Sequence, residues 1–227
     1  MVDGHAIKIY VFGGCHAMNC GFGFVDLLQA EFPNVASFPH TKVSHVDRVI
    51  LQIRNSIPDV VIIQVGNYEN PYPVYDRCIK KIARSFHLAN LLKPLKYPYL
   101  RFVPFRTKIA LDKILHLFGF GLANSYSFHE KYKRMLLKVA QAVNSRVLVI
   151  GLFPSPDPWI NYGRSQANMY IQKLCKETAL RYLDVFSILK DSESNVFGDI
   201  MHLNSKGHRI LYDAVIPEIT NILASVP

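Results

Sequence analysis

The first apolar run of the chain, at positions 8–16, reads Lys8-Ile9-Tyr10-Val11-Phe12-Gly13-Gly14-Cys15-His16. A second glycine pair, Gly21 and Gly23, and another apolar run at 24–28 follow it. This pattern predicts a strand, a sharp turn and the start of a helix. Cys15 would then lie just beyond the carboxyl end of a strand and near a helix N-terminus, which stabilises a thiolate. Taken alone, the stretch fits a nucleophile and a small buried thiol equally well.

The rest of the chain alternates predicted strands with predicted helices. Strands are expected over 7–12, 35–38, 60–65, 146–151 and 182–186, and helices over 21–31, 46–53, 125–144, 161–181 and 205–224. The apolar run at 60–65 is typical of a parallel sheet that is buried on both faces. We therefore expect one α/β domain over residues 1–227, a three-layer α/β/α sandwich with a mainly parallel sheet. In such sheets, ligands bind at the carboxyl ends of the strands.

Composition narrows the class of protein. The chain has 227 residues, of which 50% are hydrophobic, which is enough for a sizeable core and is not typical of disorder. We expect no signal peptide, and no apolar run is long enough to span a bilayer. The four cysteines form no CxxC pair, and the histidines show no metal-ligand spacing. A cytoplasmic protein with reduced thiols, no metal and no cofactor is the expectation.

A second informative stretch, at 198–208, reads Gly198-Asp199-Ile200-Met201-His202-Leu203-Asn204-Ser205-Lys206-Gly207-His208. Asp199 precedes His202 by three residues at the entry to the last predicted helix, so one loop can carry both side chains. An aspartate so placed can orient an imidazole whose other nitrogen faces a nucleophile. A helix-capping aspartate beside a surface histidine is the alternative. The Leu-Asn-x-x-Gly-His continuation favours the paired interpretation.

Three blocks, in this order, resemble those of the SGNH/GDSL hydrolases. Residues 11–15 stand where the family has Gly-Asp-Ser, residues 65–70 stand where it has Gly-x-Asn-Asp, and residues 199–204 correspond to its Asp-x-x-His block. The resemblance spans nearly the whole chain apart from an insertion at 70–125. It implies an SGNH/flavodoxin-like fold and an acyl-transfer or hydrolytic activity.

The family's catalytic residues are matched with one substitution. Asp199 and His202 correspond to its acid and base, and Cys15 replaces its nucleophilic serine. The resemblance therefore implies a Cys15–His202–Asp199 triad, in which the imidazolium can hold a thiolate. The aspartate beside the family's serine is replaced by Gly14. His16 would lower the pKa of the Cys15 thiol if its ring turned toward the sulfur, although adjacent side chains often point apart.

The family's oxyanion hole is less well matched. The stretch after the second predicted strand contains no glycine where the family has one. A backbone N–H donor there must come from a residue with a side chain, Thr41 or Lys42. The third block keeps Gly66, and counting from it puts Tyr68 at the place of the family's oxyanion asparagine. We expect the neighbouring Asn67 to donate to the oxyanion, together with N–H groups at the nucleophile.

These residues predict a working cysteine enzyme, since cysteine is a strong nucleophile at neutral pH and the acid–base pair is kept. We expect a thioester acyl-enzyme that transfers or hydrolyses an acyl group carried by coenzyme A or an acidic carrier protein. The alternatives are an esterase of small or sugar-linked esters, and a catalytically silent binding module with the same fold. Nothing in the sequence predicts the oligomeric state.

The net charge of +9 at pH 7 is concentrated in the insertion and favours anionic partners. Residues 77–113 mix lysines and arginines with aromatic and aliphatic residues, and Asp112 is the one acidic residue among them. We expect a lid-like segment that docks an acidic carrier or the phosphates of coenzyme A. Alternatively, this segment binds an anionic membrane surface, or it is a solvated face that covers a small satellite core. No nucleic-acid-binding motif is visible. Trp159, with Asp157 and Arg164, either borders the substrate or packs at a loop tip.

Overall fold

The structure is a computed structural model that describes residues 6–67, 125–144, 146–192, 195–199 and 202–225, with isolated helical positions between 107 and 117. Five parallel strands form its sheet, in the order β2-β1-β3-β4-β5. They are β1 (Lys8–Gly13), β2 (Asn34–Phe38), β3 (Val60–Gln64), β4 (Val147–Ile150) and β5 (Arg181–Leu183). The predicted α/β class with a parallel sheet is confirmed. Most of the predicted insertion at 70–125 lies outside the described residues.

Helices cover both faces of the sheet. They are α1 (Phe24–Glu31), α2 (Val46–Asn55), α3 (Ser125–Ala142), α4 (Pro158–Glu177), α5 (Val185–Lys190) and α6 (Ser205–Ala224). The core with α2, α3 and α4 takes Val61 and Ile63 from β3, and the core with α1, α5 and α6 takes Val60 and Ile62. Successive strand residues point to opposite faces, so the continuous apolar run fills both cores. Among the described helices, none is long and apolar enough to cross a membrane.

The start of α4 was predicted three residues too late. Asp157 caps this helix, because its Oδ1 accepts the N–H groups of Trp159 at 2.9 Å and Ile160 at 3.1 Å. Pro158 occupies the first helical position, where its fixed φ suits a helix and its missing N–H costs nothing. The pair Asp157-Pro158 is therefore the feature of the sequence that indicates where α4 begins. The predicted start of α1 at 21 was too early, since α1 begins at Phe24.

The end of the predicted fifth strand was also wrong. It stops at Leu183, and residues 185–190 form α5 instead. Asp184 starts this helix, because its carboxylate accepts the N–H of Ser187 at 3.2 Å and the hydroxyl of the same residue at 2.8 Å. An aspartate followed by a serine three residues later outweighed the β propensity of the apolar residues between them.

The strand order places a crevice at one edge of the sheet. The chain winds outward from β1 in both directions, so β1 and β3 are the neighbours at which the winding reverses. Their carboxyl ends are in register, with Gly13 beside Gln64. The N–H of Gly14 donates to the carbonyl of Gln64 at 3.2 Å, which extends the pairing past the strand ends. The loops that carry Cys15 and Asn67 therefore leave the sheet side by side.

The first turn of α6 packs tightly against the loop before it. A Cβ on Gly207 would lie 2.4 Å from the carbonyl oxygen of Val196 and 3.1 Å from the Cβ of Leu203. The N–H of Gly207 also donates to Oδ1 of Asn204, the capping residue of the helix, at 3.0 Å. Because the nearest atom belongs to the backbone, it cannot rotate away as a flexible side chain would.

The substitution Gly207→Ala should lower the free energy of unfolding by about 1–3 kcal/mol. Helix propensity alone would give the opposite sign, since alanine is favoured over glycine by about 1 kcal/mol in a helix. The measurement is urea unfolding followed by far-UV circular dichroism. Gly198→Ala is the control, because the nearest atom to its Cβ would lie at an ordinary 3.7 Å. Equal stability of Gly207→Ala and the wild type would contradict the close contact.

Candidate active site

Cys15 begins a short turn directly after β1. A single 3-10 turn spans Cys15–Ala17 and is closed by the N–H of Ala17, which donates to the carbonyl of Gly14 at 3.1 Å. The turn folds back so closely that a Cβ on Gly13 would lie 2.8 Å from the Cβ of Ala17. We call residues 13–17 the nucleophile turn, after the role that was expected of Cys15 from the sequence. The Cys15 thiol is half-buried and forms no disulfide.

The expected helix N-terminus at Cys15 is only partly present. The 3-10 turn has three residues, and α1 begins nine residues after Cys15. A turn of this length carries little of the dipole of a full helix. A thiolate at Cys15 would therefore depend mainly on neighbouring side chains, such as an imidazolium, for its stabilisation.

Asp199 and His202 form a bonded pair within one short loop. Nδ1 of His202 lies 2.7 Å from Oδ2 of Asp199, and the backbone N–H of His202 donates to Oδ1 of the same carboxylate at 2.8 Å. The N–H of Gly198 donates to the carbonyl of His202 at 2.9 Å and closes the loop. Both carboxylate oxygens are thus used to fix the histidine, so the ring has a defined direction. Because an ionised carboxylate can only accept hydrogen bonds, Nδ1 is the donor in this contact, and Nε2 is the ring nitrogen that is directed away from Asp199.

His16 joins this loop to the nucleophile turn. Its ring is buried, with the ring centroid 5.6 Å from that of His202 and 5.6 Å from that of His208. The ring also meets Phe153 edge-on at 4.5 Å. Because His16 follows Cys15 directly, these contacts bring the His202 ring to the nucleophile turn. The predicted effect of His16 on the pKa of the Cys15 thiol remains a prediction.

His208 is a buried neutral imidazole beneath the site. Nδ1 of His208 accepts the backbone N–H of Phe24 at 3.2 Å, and the two rings are parallel with centroids 6.3 Å apart. The pKa of His208 is lowered to about 4, chiefly by burial, while Asp26 has a smaller raising effect and the nearby His202 a smaller lowering effect. No role was expected for this residue from the sequence. The feature of the sequence that could have pointed to His208 is the Gly-His pair that follows the Asp-x-x-His block.

Asn67 presents a buried amide at the carboxyl end of β3. Gly66 has a φ of 106°, and this left-handed turn leads the chain into Asn67, which is only 5% exposed. Oδ1 of Asn67 accepts the N–H of Phe153 at 3.1 Å. Among the described residues, none accepts a hydrogen bond from its Nδ2. A buried donor without a partner costs about 1–3 kcal/mol, so an amide held in this way suits a ligand oxygen.

The remaining expected donors are placed differently. The N–H of Thr41 donates to the carbonyl of Gly13 at 2.8 Å, and that of Lys42 donates to Nδ1 of His45 at 3.3 Å. Both N–H groups thus already have an acceptor within the protein, and their expected role as oxyanion donors remains a prediction. The Thr41 bond instead supports the nucleophile turn. Tyr68 lies outside the described residues.

Two further expectations concern partners and metals. The basic segment 77–113, which was expected to dock a carrier protein or coenzyme A, lies almost wholly outside the described residues. Within the parts of the chain that the structure describes, no three His, Cys, Asp or Glu side chains are grouped so that they could hold a metal ion.

Solved structures with the same fold were found, although no protein-family model and no curated protein matched the chain. A GDSL-family lipolytic protein from Veillonella parvula superposes with a TM-score of 0.57 at 14% identity, covering 95% of this chain and 99% of the other. A GDSL-family putative lipolytic protein from Desulfitobacterium hafniense gives 0.58 at 14% identity, covering 92% and 97%. The fold is therefore that of the GDSL lipolytic proteins.

An acetylxylan esterase from Geobacillus stearothermophilus is also similar. Its TM-score is 0.55 at 16% identity, with 93% of this chain and 94% of the other covered. Three structures of that esterase are catalytic mutants, in which a serine, an aspartate or a histidine is replaced by alanine. In that protein, the aspartate and the histidine are three positions apart.

The buried state of His208 should make stability depend on pH. The pKa of about 4 in the folded protein lies below the ordinary value of 6.5, so the unfolded chain binds a proton over that interval that the folded protein does not. The free energy of unfolding should therefore fall as the pH drops from about 6.5 to about 4, with up to about 3 kcal/mol coming from His208.

The variant His208→Gln tests this contribution. Its free energy of unfolding, measured by urea denaturation at several pH values, should depend less steeply on pH over that interval than that of the wild type. An unchanged slope would show that His208 is not the group responsible.

Proposed function

We propose that this protein is an ester hydrolase in which Cys15 is the nucleophile, His202 is the general base and Asp199 orients His202. The observation that carries the proposal is the two-point bond between Asp199 and His202. Both carboxylate oxygens hold the histidine in one direction. The contact of its ring with His16 then brings the histidine to the residue next to Cys15. An oriented imidazole beside a thiol is the arrangement that activates a cysteine for acyl transfer.

The solved structures with this fold support the same chemistry. Two of them belong to lipolytic proteins and others to an acetylxylan esterase. The catalytic aspartate and histidine of that esterase have the three-residue spacing of Asp199 and His202. Cys15 takes the role of its catalytic serine in the proposal. Ester substrates are favoured for this reason over the coenzyme A and carrier-bound donors expected from the sequence, whose docking at 77–113 remains a prediction.

The proposed reaction has two halves that share one base. Nε2 of His202 takes the proton of the Cys15 thiol, and the sulfur attacks the ester carbonyl carbon. The tetrahedral intermediate collapses when the C–O bond breaks and His202 returns the proton to the leaving alkoxide, so that an alcohol departs and a thioester remains. His202 then takes a proton from water, whose oxygen attacks the thioester. When this second intermediate collapses, the C–S bond breaks and His202 returns the proton to the sulfur, which releases the carboxylic acid and restores the thiol.

Asn67 is the proposed donor to the negative oxygen of both tetrahedral intermediates. Its Nδ2 is buried at the edge of the sheet from which the nucleophile turn also leaves. A donor held in place before the reaction stabilises the developing charge without reorganising during the step, and removing one such donor typically lowers kcat about 10²–10³-fold.

Covalent capture of the acyl group tests the proposal. On brief incubation with 4-nitrophenyl acetate, the wild-type protein should gain one acetyl group, observed by intact mass and located on Cys15 by peptide mapping. Cys15→Ala should neither gain this group nor release 4-nitrophenolate above background. His202→Gln should acylate roughly 10²–10⁴-fold more slowly, because it lacks the base.

The chain provides a matched control for simple thiol reactivity. Cys20 lies five residues away and is exposed. Cys20→Ala should keep the wild-type rate, because this thiol has no oriented imidazole in the proposal. Equal acylation of Cys15 and Cys20, or an acylation rate that His202→Gln leaves unchanged, would contradict the proposed triad.

A further inference from the structure

We propose that Arg164 is a positioning residue that fixes the amide of Asn67 for oxyanion stabilisation, an inference that rests on the proposed function. Arg164 lies on α4 and is fully buried. Its guanidinium reaches the loop after β4, where Nη1 donates to the carbonyls of Phe153 at 2.8 Å and Pro154 at 3.0 Å. Nη2 donates to the carbonyl of Asn67 at a longer 3.5 Å. One side chain thus connects the loops after β3 and β4.

These bonds close a ring around Asn67. Oδ1 of Asn67 accepts the N–H of Phe153, the carbonyl of Phe153 accepts from Arg164, and Arg164 donates back to the carbonyl of Asn67. The backbone N–H of Phe153 can only donate, so it decides which end of the amide is the oxygen. Nδ2 must then point away from Phe153, which leaves the donor end available to a ligand.

The chemistry of the guanidinium explains why an arginine suits this position. Its planar fork presents several N–H groups in fixed directions and can hold three carbonyl oxygens on two loops at once. A lysine would keep the charge but has no fork. A glutamine could reach fewer acceptors and would remove the charge.

The same helix provides a matched comparison. Asn168 lies one helical turn after Arg164, is also buried, and holds the same loop through Leu152. Its Oδ1 accepts the N–H of Leu152 at 2.7 Å, and its Nδ2 donates to the carbonyl of Leu152 at 2.9 Å. Neither of these bonds involves Asn67. Loss of Asn168 therefore loosens the loop after β4 without opening the ring around Asn67.

The experiment is a double-mutant cycle between Arg164 and Asn67, read in the steady-state hydrolysis of 4-nitrophenyl acetate. The variants are Arg164→Lys, Arg164→Gln, Asn67→Ala, the combination of Arg164→Lys with Asn67→Ala, and the control Asn168→Ala. Two Arg164 variants are included because a buried arginine is a risk to folding. Rates are expressed per folded molecule, from near-UV circular dichroism.

The expected result separates positioning from general stability. Asn67→Ala should lower kcat about 10²–10³-fold. Arg164→Lys should lower kcat at least about tenfold with little change in KM, because the lost interaction acts in the transition state. In the Asn67→Ala background, Arg164→Lys should have little further effect, since no amide remains to be positioned. Asn168→Ala should keep kcat within about threefold of the wild type, although its thermal midpoint falls.

Two results would overturn the inference. One is a multiplicative loss when the Arg164 and Asn67 substitutions are combined, and the other is an equal loss of kcat in Asn168→Ala. The first would show that Arg164 acts independently of Asn67, and the second that it acts only by holding the loop after β4. Failure of the proposed function itself would look different, because the wild-type protein would then form no acetyl-Cys15 at all.

Discussion

The parallel pairing of β1 with β3 is the constraint on which the site depends. It sets Gly13 beside Gln64, and the bond from the N–H of Gly14 to the carbonyl of Gln64 holds the strand ends together beyond the sheet. The nucleophile turn and the loop of Asn67 therefore start from adjacent points. A parallel sheet collects such loops at one edge whatever their separation in the sequence. A cysteine near the N-terminus can in this way meet residues that come much later in the chain.

Phe153 makes both aromatic and polar contacts beneath this edge of the sheet. Phe153 meets the His16 ring with its side chain, while its backbone holds Asn67 and Arg164. One residue thus joins the nucleophile turn to the proposed oxyanion donor.

The sequence predicted the sheet, most of the helices and the Asp199–His202 pair, since those depend on hydrophobic periodicity and on residues that are close in the chain. It did not predict what Thr41 does, because the bond of its N–H to Gly13 joins loops that only the folded sheet brings together. The burial of the His16 ring against His202 and His208 is hidden for the same reason. From the sequence, Arg164 was expected either to border the substrate or to pack at a loop tip, and only the structure shows that it is fully buried and bonds to two loops.

The pair of Asp199 and His202 is accessible to solvent, with 57% of the aspartate side chain and 45% of the histidine side chain exposed. Water weakens the attraction between a carboxylate and an imidazolium several-fold relative to a shielded site. A molecule that covers the pair on binding would exclude that water and strengthen the hydrogen bond by which the carboxylate directs the imidazole. The size and shape of the bound molecule would then affect the rate of proton transfer as well as the affinity. Ligands that exclude solvent from the pair would react faster than ligands that only reach the Cys15 sulfur.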